Sequence, residues 1–282
     1  MKGRIFALFA GAVLSLFLPL SALAFDHSPW TALLQKHVVP FNENRATAVD
    51  YAGFANDRAE LTRYLSSLSA VTEAEFDEWS GDEQLAFLIN VYNAWTVELI
   101  LTRYPDLDSI RELGSFLRSP WKQRFIPLFG AERTLDEVEH DMIRGESRDY
   151  AGYDEPRIHF AVNCASIGCP ALLTEAFTGA DLEDQLDRAT RWFLNDKTRN
   201  RWADGSLEVS SIFRWYRSDF EAGWGGAESL GAFLALYADE LGVPTDQRAA
   251  LTNDNIRIRF LDYDWALNDV KGNSIANMPR ED

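Results

Sequence analysis

The sequence predicts an α+β fold: a helix-rich single domain with a small, mainly antiparallel sheet. Apolar residues recur at three- and four-residue spacing in many segments, whereas few short segments alternate with the period of two that a strand requires. No internal repeat, low-complexity tract or long linker divides residues 25–282. Nine tryptophans and eighteen phenylalanines supply apolar surface for one substantial core. Many helices and few strands around one core are typical of the α+β class.

The first 24 residues are predicted to be an export signal. Lys2 and Arg4 precede an apolar run over residues 5–18, and the Ala-Leu-Ala triplet at 22–24 has the small residues that signal peptidase prefers. The apolar run is short for a membrane span, and a retained anchor is the alternative interpretation. We therefore expect a periplasmic or secreted protein that begins at Phe25 and has no stable membrane insertion after signal cleavage.

The chain is strongly acidic, with a formal net charge of −17. Removal of the two cations in the signal, Lys2 and Arg4, makes the charge of the remaining chain −19. Such a surface repels phosphate backbones, which excludes nucleic acid as an expected partner. We expect a small-molecule or peptide ligand instead. The sequence does not indicate an oligomeric state.

Four helices are predicted in the first part of the domain, each from a start signal. A capping residue, or the paired spacing of a capping box, precedes each apolar pattern. The longest of the four runs toward Arg103 and stops near Pro105. The predicted start signals are Ser28-Pro29, Asp50, Thr72 with Glu75, and Ser80 with Glu83.

The longest predicted helix is apolar on almost all sides, which indicates that it is buried. Its main stripe contains Leu85, Leu88, Tyr92, Trp95 and Leu99. Asn90 and Asn93 are therefore expected inside the protein, where an unpaired amide costs about 1–3 kcal/mol. We expect them either to hydrogen-bond a neighbouring loop or to orient the cysteine segment or a bound ligand.

The middle of the chain supplies a second helix for a site. Residues 121–129 indicate a strand and turn, and a capping box at residues 134–137 then opens a helix to Arg144. Glu139 lies at the edge of the apolar face of this helix. His140 points to the other side, which is solvent if the helix stands alone.

The remaining elements are predicted from periodicity and turn residues. Helices are expected over residues 181–193, 212–220 and 230–241. Strands are expected over residues 206–210 and 255–263, which adds little to the sheet content.

Both cysteines lie in the segment Arg157-Ile-His-Phe-Ala-Val-Asn-Cys-Ala-Ser-Ile-Gly-Cys-Pro170. Residues 158–162 are predicted to form a strand that delivers Cys164 into a tight turn. Side chains alternate along a strand, so His159 and Cys164 are expected on opposite faces. His140 is therefore predicted to be the imidazole partner of Cys164, with His159 as the second choice.

Five motifs in order cover most of residues 51–282, and together they make the chain resemble domain-of-unknown-function family 547, which contains bacterial exported and plant proteins. The motifs are Phe87-Leu-Ile-Asn-Val-Tyr-Asn-Ala94, Thr134-Leu-Asp-Glu-Val-Glu-His140, Ile158-His-Phe-Ala-Val-Asn-Cys-Ala-Ser-Ile-Gly-Cys-Pro170, Phe213-Arg-Trp-Tyr-Arg-Ser-Asp-Phe220 and Tyr263-Asp-Trp-Ala-Leu-Asn268. The resemblance implies a shared fold and site but no established reaction. The motif positions that it implies for the site are Asn90, Asn93, Glu139, His140, His159, Cys164 and Cys169.

The first of three open roles for the cysteines is catalytic. A cysteine nucleophile needs a base that stabilises the thiolate and a third group that orients the base. Cys164 would be the nucleophile and His140 or His159 the base, with Asn163 or Glu139 orienting that base. This arrangement predicts a thiol-dependent hydrolase or acyl-transferase of the cell envelope.

In the other two roles, Cys164 and Cys169 form a disulfide with each other. An exported protein favours a Cys164–Cys169 disulfide, and a bridge over so short a loop stabilises by only about 2 kcal/mol. A permanent bridge would fix a corner of a non-catalytic ligand- or protein-binding domain. A reducible bridge would make a thiol–disulfide redox protein in which Cys164 attacks and Cys169 resolves.

The expected site surrounds Cys164 and has three further walls. These are the helix of Asn90 and Asn93, the helix of Glu139 and His140, and the segment Tyr263-Asp264-Trp265. Trp215, Tyr216, Trp224 and Trp265 are expected either to line a cleft for a carbohydrate or peptide or to fill the core. The spacing of histidines and cysteines matches no zinc signature, so neither a metal nor another cofactor is predicted.

Overall fold

The computed structural model describes residues 24–115 and 118–271, so the predicted signal lies outside the described residues except for Ala24. The α+β class is confirmed. α-Helices span Ser28–His37, Tyr51–Asn56, Arg58–Ala70, Glu73–Asp77, Gly81–Leu101, Leu182–Asn195, Ile212–Trp215, Arg217–Phe220, Leu230–Ala235, Ala238–Leu241 and Arg248–Thr252. Short 3₁₀-helices span Ile110–Leu113, Pro120–Lys122, Pro156–Phe160, Trp224–Gly226 and Thr245–Gln247, and a π-helix spans Glu137–Ile143.

The strands within residues 24–115 and 118–271 form three small sheets rather than one. Two are antiparallel hairpins, and in the third the pair Ser206–Ser210 and Ile258–Leu261 is parallel. The hairpins are Val38–Phe41 with Ala46–Val49 and Ile126–Leu128 with Ala131–Arg133, and Arg201–Ala203 completes the third sheet. Most strand pairing is antiparallel, as the sequence predicts.

The helix Gly81–Leu101 is the centre of the core, as its apolar pattern predicts. Ser80 and Glu83 form the predicted capping box at its start. In the described part of the chain it is the one helix long and apolar enough to cross a membrane, but 83% of its most apolar window is buried inside the protein. Its position lets it hold loops on several sides of the molecule.

The prediction of a strand over residues 158–162 is wrong. Pro156 supplies the fixed φ of a first helical residue, and the Glu155 side chain accepts a hydrogen bond from the Arg157 amide, so a 3₁₀-helix, Pro156–Phe160, forms instead. Side chains in this turn do not alternate between two faces. The strand alternation that was expected to place His159 opposite Cys164 is therefore absent.

Two predicted helices are each broken in the middle. The aromatic helix over 212–220 divides at Tyr216, whose φ of −111° and ψ of 29° are not helical. The helix over 230–241 divides similarly at Tyr237. The first break matters for the site, because it sets the relative directions of Tyr216 and Asp219.

Acidification is expected to weaken the N-terminal part of the core through His27. Burial lowers the pKa of His27 to about 4, despite an opposing effect of Asp26, and its Nδ1 lies 2.7 Å from the Tyr64 hydroxyl. The folded state then binds fewer protons than the unfolded state, so stability is lost as pH falls from about 6.5 to 4, by about 3 kcal/mol in total. Urea unfolding at pH 7 and pH 4 should show a larger loss for the wild type than for His27→Gln. Equal losses would assign the acid sensitivity to other groups.

Candidate functional site

A single cavity of about 230 Å³ brings together most of the residues that the sequence predicts for a site. Besides the aliphatic residues Val162, Pro170 and Ile212, its wall has an aromatic part and a part that is polar or sulfur-containing. The aromatic part contains Tyr92, Trp121, Trp215, Tyr216, Tyr263 and Trp265, and the other contains Asp136, Glu139, His140, His159, Cys164 and Cys169. Six separate stretches of the chain contribute to this wall.

The two cysteines form a disulfide at the cavity wall, with their Cα atoms 6.2 Å apart. Cys164 is half-buried, whereas Cys169 is only 2% exposed. The hydroxyl oxygen of Tyr263 lies 3.2 Å from each sulfur, and Ser166 Oγ lies 3.4 Å from Cys164 Sγ and 3.3 Å from Cys169 Sγ. Burial raises the pKa of Tyr263, so its hydroxyl keeps its proton and remains a donor.

Asn93 fixes the start of the cysteine loop, which we define as residues 161–170. Its Oδ1 accepts from the Asn163 amide at 2.8 Å, and its Nδ2 donates to the Ala161 carbonyl at 3.0 Å. The Asn163 side chain is used inside the same loop, where it donates to the Pro170 carbonyl at 2.7 Å. Asn163 therefore holds the loop and does not line the cavity.

Asn90 serves a different loop. Its amide donates to the Phe177 carbonyl at 2.7 Å and accepts from the Phe177 amide at 3.1 Å. Both predicted asparagines are thus buried and paired with loop backbone, but Asn93 alone of the two contacts the cysteine loop.

His159 is held by Asp219, a residue that the sequence analysis did not select. His159 Nε2 lies 2.8 Å from Asp219 Oδ2, and its ring stacks on Tyr216 with centroids 3.9 Å apart. Its Nδ1 is buried and has no hydrogen-bond partner among the described residues. Burial lowers the pKa of His159, against the opposing hydrogen bond to Asp219, so the ring is neutral near pH 7.

Asp219 also accepts two hydrogen bonds from the guanidinium of Arg144. Arg144 Nε donates to Oδ2 at 2.6 Å and Nη2 donates to Oδ1 at 2.9 Å. Burial tends to raise the pKa of Asp219, but the hydrogen bonds from Arg144 and His159 outweigh it and hold this pKa well below its usual range. Asp219 is therefore an anion that joins His159 to Arg144.

The π-helix presents Glu139 and His140 to the cavity. Its wide turn is closed by the Arg144 amide, which donates to the Glu139 carbonyl five residues earlier at 3.0 Å. Arg144 Nη1 lies 2.8 Å from His140 Nδ1 and, because arginine only donates, this nitrogen of His140 is the acceptor. His140 lines the cavity and does not point away from it, and π-turns of this kind occur often at functional sites.

The segment that follows the last strand is divided between the site and the surface. Trp265 lines the cavity, whereas the exposed Asp264 accepts from the Gly168 amide through its carbonyl at 2.9 Å and supports the cysteine loop. Trp224 lies elsewhere, with the Arg157 guanidinium carbon 4.6 Å from its ring centroid. Within residues 24–115 and 118–271, no group of three or more His, Cys, Asp or Glu side chains is arranged to hold a metal ion.

Sequence reasoning missed Asp219 and Arg144. Asp219 stands inside one of the quoted motifs, so membership of a motif was the available signal. Periodicity carries no information on which distant side chains meet, because 60 residues separate His159 from Asp219.

Gly168→Ala is expected to displace Tyr263 and to destabilise the protein by about 1–3 kcal/mol. A Cβ on Gly168 would lie 2.9 Å from three ring carbons of Tyr263. Thermal unfolding should show a clear loss of stability. Gly81→Ala is the matched control, since a Cβ there meets nothing within 4 Å and alanine favours the helix. Equal behaviour of the two variants would mean that the ring moves away at no cost.

Comparison with known proteins agrees with the motifs. No curated protein and no solved structure matches the chain. A family model described as "Protein of unknown function, DUF547" matches residues 76–194. This range contains the central helix, the π-helix and the cysteine loop, and with them the first three of the five motifs. Over residues 76–194, therefore, the resemblance to the DUF547 family is confirmed.

Proposed function

We propose that the protein is a thiol-dependent hydrolase or acyl-transferase of the cell envelope, with Cys164 as its nucleophile. The supporting observation is the cavity, in which Cys164 lies together with two histidines and a buried carboxylate. The disulfide is then a resting form that must be reduced before the thiol can react.

Reduction by an envelope dithiol starts the cycle. The dithiol gives two electrons and two protons to the bridge and becomes a disulfide, and Cys164 and Cys169 become thiols. Cys164 is the half-buried member of the pair and faces the cavity, so it is the one available to a substrate. The hydroxyls of Ser166 and Tyr263 lie close enough to its sulfur to stabilise a thiolate.

His159 is the better oriented of the two candidate bases. Asp219 fixes its Nε2, which leaves the unpaired Nδ1 to accept a proton, and burial keeps the ring in the neutral form that a base requires. His140 contacts Arg144 through Nδ1 and lies 3.9 Å from Asp136 through Nε2, so its partners orient it less closely. Cys164 as nucleophile, His159 as base and Asp219 as orienting group are the three groups that this chemistry uses.

The proposed reaction has two steps. Cys164 gives its thiol proton to Nδ1 of His159 and attacks an acyl carbonyl as the thiolate. A carbon–sulfur bond forms, the bond from the acyl carbon to the leaving alcohol or amine breaks, and the leaving group takes the proton from His159. Water or an acceptor hydroxyl then gives its proton to His159 and attacks the thioester, which releases the acyl product and restores the thiolate.

A thiol–disulfide redox protein is the second candidate. The observation that favours it is the unequal exposure of the two sulfurs, because an accessible attacking cysteine and a buried resolving cysteine are typical of such pairs. In this candidate the cavity would bind the thiol substrate, and no thioester would form.

Acetylation of the reduced protein tests the proposal. Reduced protein treated with p-nitrophenyl acetate should release one equivalent of nitrophenol in a burst and gain one acetyl group on Cys164, detected by intact mass and peptide mapping. Oxidised protein should do neither. Acetylation of the reduced protein no faster than that of free cysteine would reject the hydrolase. Rapid exchange with oxidised glutathione under the same conditions would then favour the redox protein.

A further inference from the structure

Glu139 is a buried carboxylate that has no cationic partner in the part of the chain that the structure describes. It is 5% exposed, and its Oε1 accepts a 2.6 Å hydrogen bond from the uncharged Tyr216 hydroxyl. No lysine, arginine or histidine nitrogen of the described residues lies within 4.0 Å of its carboxylate. The neighbouring Arg144 is held by Asp219 and Glu146 instead. Buried charges are normally paired, so a carboxylate of this kind in a cavity wall indicates that a cation is supplied by a ligand.

The charges that line the cavity have the same sign. Asp136 and Glu139 contribute two carboxylates, whereas no lysine or arginine of residues 24–115 and 118–271 lines the cavity. His140 Nε2 lies 3.9 Å from Asp136 Oδ1. Among the lysines and arginines of the described residues, the nearest to Asp136 is Lys122, whose Nζ is 4.0 Å from Asp136 Oδ2 on a side chain that is 71% exposed. An exposed pair at this distance neutralises little of the field inside the cavity.

The aromatic wall offers the faces on which cations bind. Trp215 and Trp265 stack with centroids 5.6 Å apart, and the Tyr263 ring lies 4.8 Å and 4.6 Å from them. Two rings of the wall already lie against an arginine side chain. The guanidinium carbon of Arg111 is 5.4 Å from the Trp265 ring centroid, and that of Arg144 is 5.0 Å from the Tyr216 ring centroid. Several aromatic rings around a small space are the usual receptor for quaternary ammonium groups.

We propose that this cavity binds an alkylated ammonium group, with Glu139 and Asp136 as counter-charges and Trp215, Tyr263 and Trp265 as the aromatic faces. The volume of about 230 Å³ suits one small cationic group rather than a drug-sized ligand. Binding of the cation needs no thiol chemistry. The extension that acyl substrates of Cys164 carry such a group rests on the proposed function.

Choline and its uncharged isostere 3,3-dimethylbutan-1-ol separate charge recognition from simple apolar binding. Calorimetry and tryptophan fluorescence on the oxidised protein should show choline binding on the order of tenfold more tightly than the isostere. Trp265→Ala and Glu139→Gln should each weaken choline binding by a similar factor. Trp192→Ala is the matched control, because Trp192 contacts Arg188 outside the cavity and its loss should leave binding unchanged.

Trp265→Phe and Asp136→Asn keep the test valid if the first two variants fold poorly, and both should bind choline more weakly than the wild type. Equal binding of choline and the isostere, or no binding of either, would overturn the proposal, as would tighter binding of N-acetylglucosamine than of choline. Because the oxidised protein is used, absence of choline binding leaves the acetylation result intact. Choline binding without acetylation would reject only the thiol enzyme.

Discussion

Cys169→Ala is expected to make acylation of Cys164 independent of reductant. In the wild type the disulfide occupies the nucleophilic sulfur, so oxidised protein has no free thiolate to react. The variant cannot form that bridge, and we expect its acylation rate without reductant to exceed that of the oxidised wild type by on the order of 100-fold or more. Burst kinetics with p-nitrophenyl acetate, measured with and without a dithiol, provide the comparison.

Loss of the bridge should cost little stability, since a loop this short contributes only about 2 kcal/mol to the free energy of unfolding. Cys164→Ala is the matched variant: it also lacks the bridge but has no nucleophile, so it should be inactive under both conditions. An unreactive but folded Cys169→Ala would show that the bridge, rather than a free Cys164, is the functional form. The binding or redox interpretation would then replace the proposed enzyme.

The sequence correctly predicted those structural elements that depend on residues close together in the chain. The capping boxes at Ser80 and Thr72 form as predicted, because the groups that make them are three residues apart. The all-round apolar pattern correctly predicted burial of Gly81–Leu101, and burial required partners for Asn90 and Asn93. These inferences need no knowledge of the tertiary structure beyond the existence of a core.

Other features depend on contacts that the sequence does not specify. Residues 158–162 have the β-branched and aromatic composition of a strand, but Pro156 and the Glu155 side chain start a 3₁₀-helix there. Hydrogen bonds that span five residues instead of four make the helix Glu137–Ile143 a π-helix, and no propensity predicts it. The pairing of His159 with Asp219 joins two segments 60 residues apart, so only the structure reveals it.

The unpredicted 3₁₀-helix and the unpredicted pairing of His159 with Asp219 together change which histidine is favoured as the base. The sequence favoured His140 as the base because a strand would turn His159 away from Cys164. With a 3₁₀-helix in its place, both histidines line the same cavity. The choice between them then depends on their hydrogen-bond partners, and Asp219 is the strongest of these.

Asp219→Asn is expected to affect both folding and chemistry. The substitution keeps the shape of the side chain but leaves Arg144, whose side chain is 10% exposed, without its main counter-ion. Removal of one partner from such a pair should lower the free energy of unfolding by about 3 kcal/mol near pH 7. Because the pKa of Asp219 is lowered in the folded state, its stabilising contribution is present above the ordinary carboxylate pKa and is lost at lower pH. The free energies of unfolding of the wild type and the variant should therefore become similar at low pH.

The same substitution should slow acylation of reduced protein by on the order of 100-fold, because His159 loses the group that orients it. The hydrogen bond to Asp219 raises the pKa of His159, so its loss should move the acidic limb of the pH–rate profile to lower pH. Asp187→Asn controls for general loss of charge, since Asp187 forms an exposed pair with Arg191. A slower rate with an unshifted pH profile would indicate that Asp219 supports the fold and that His140 is the base. A slower rate with the shifted limb would assign the proton transfer to His159.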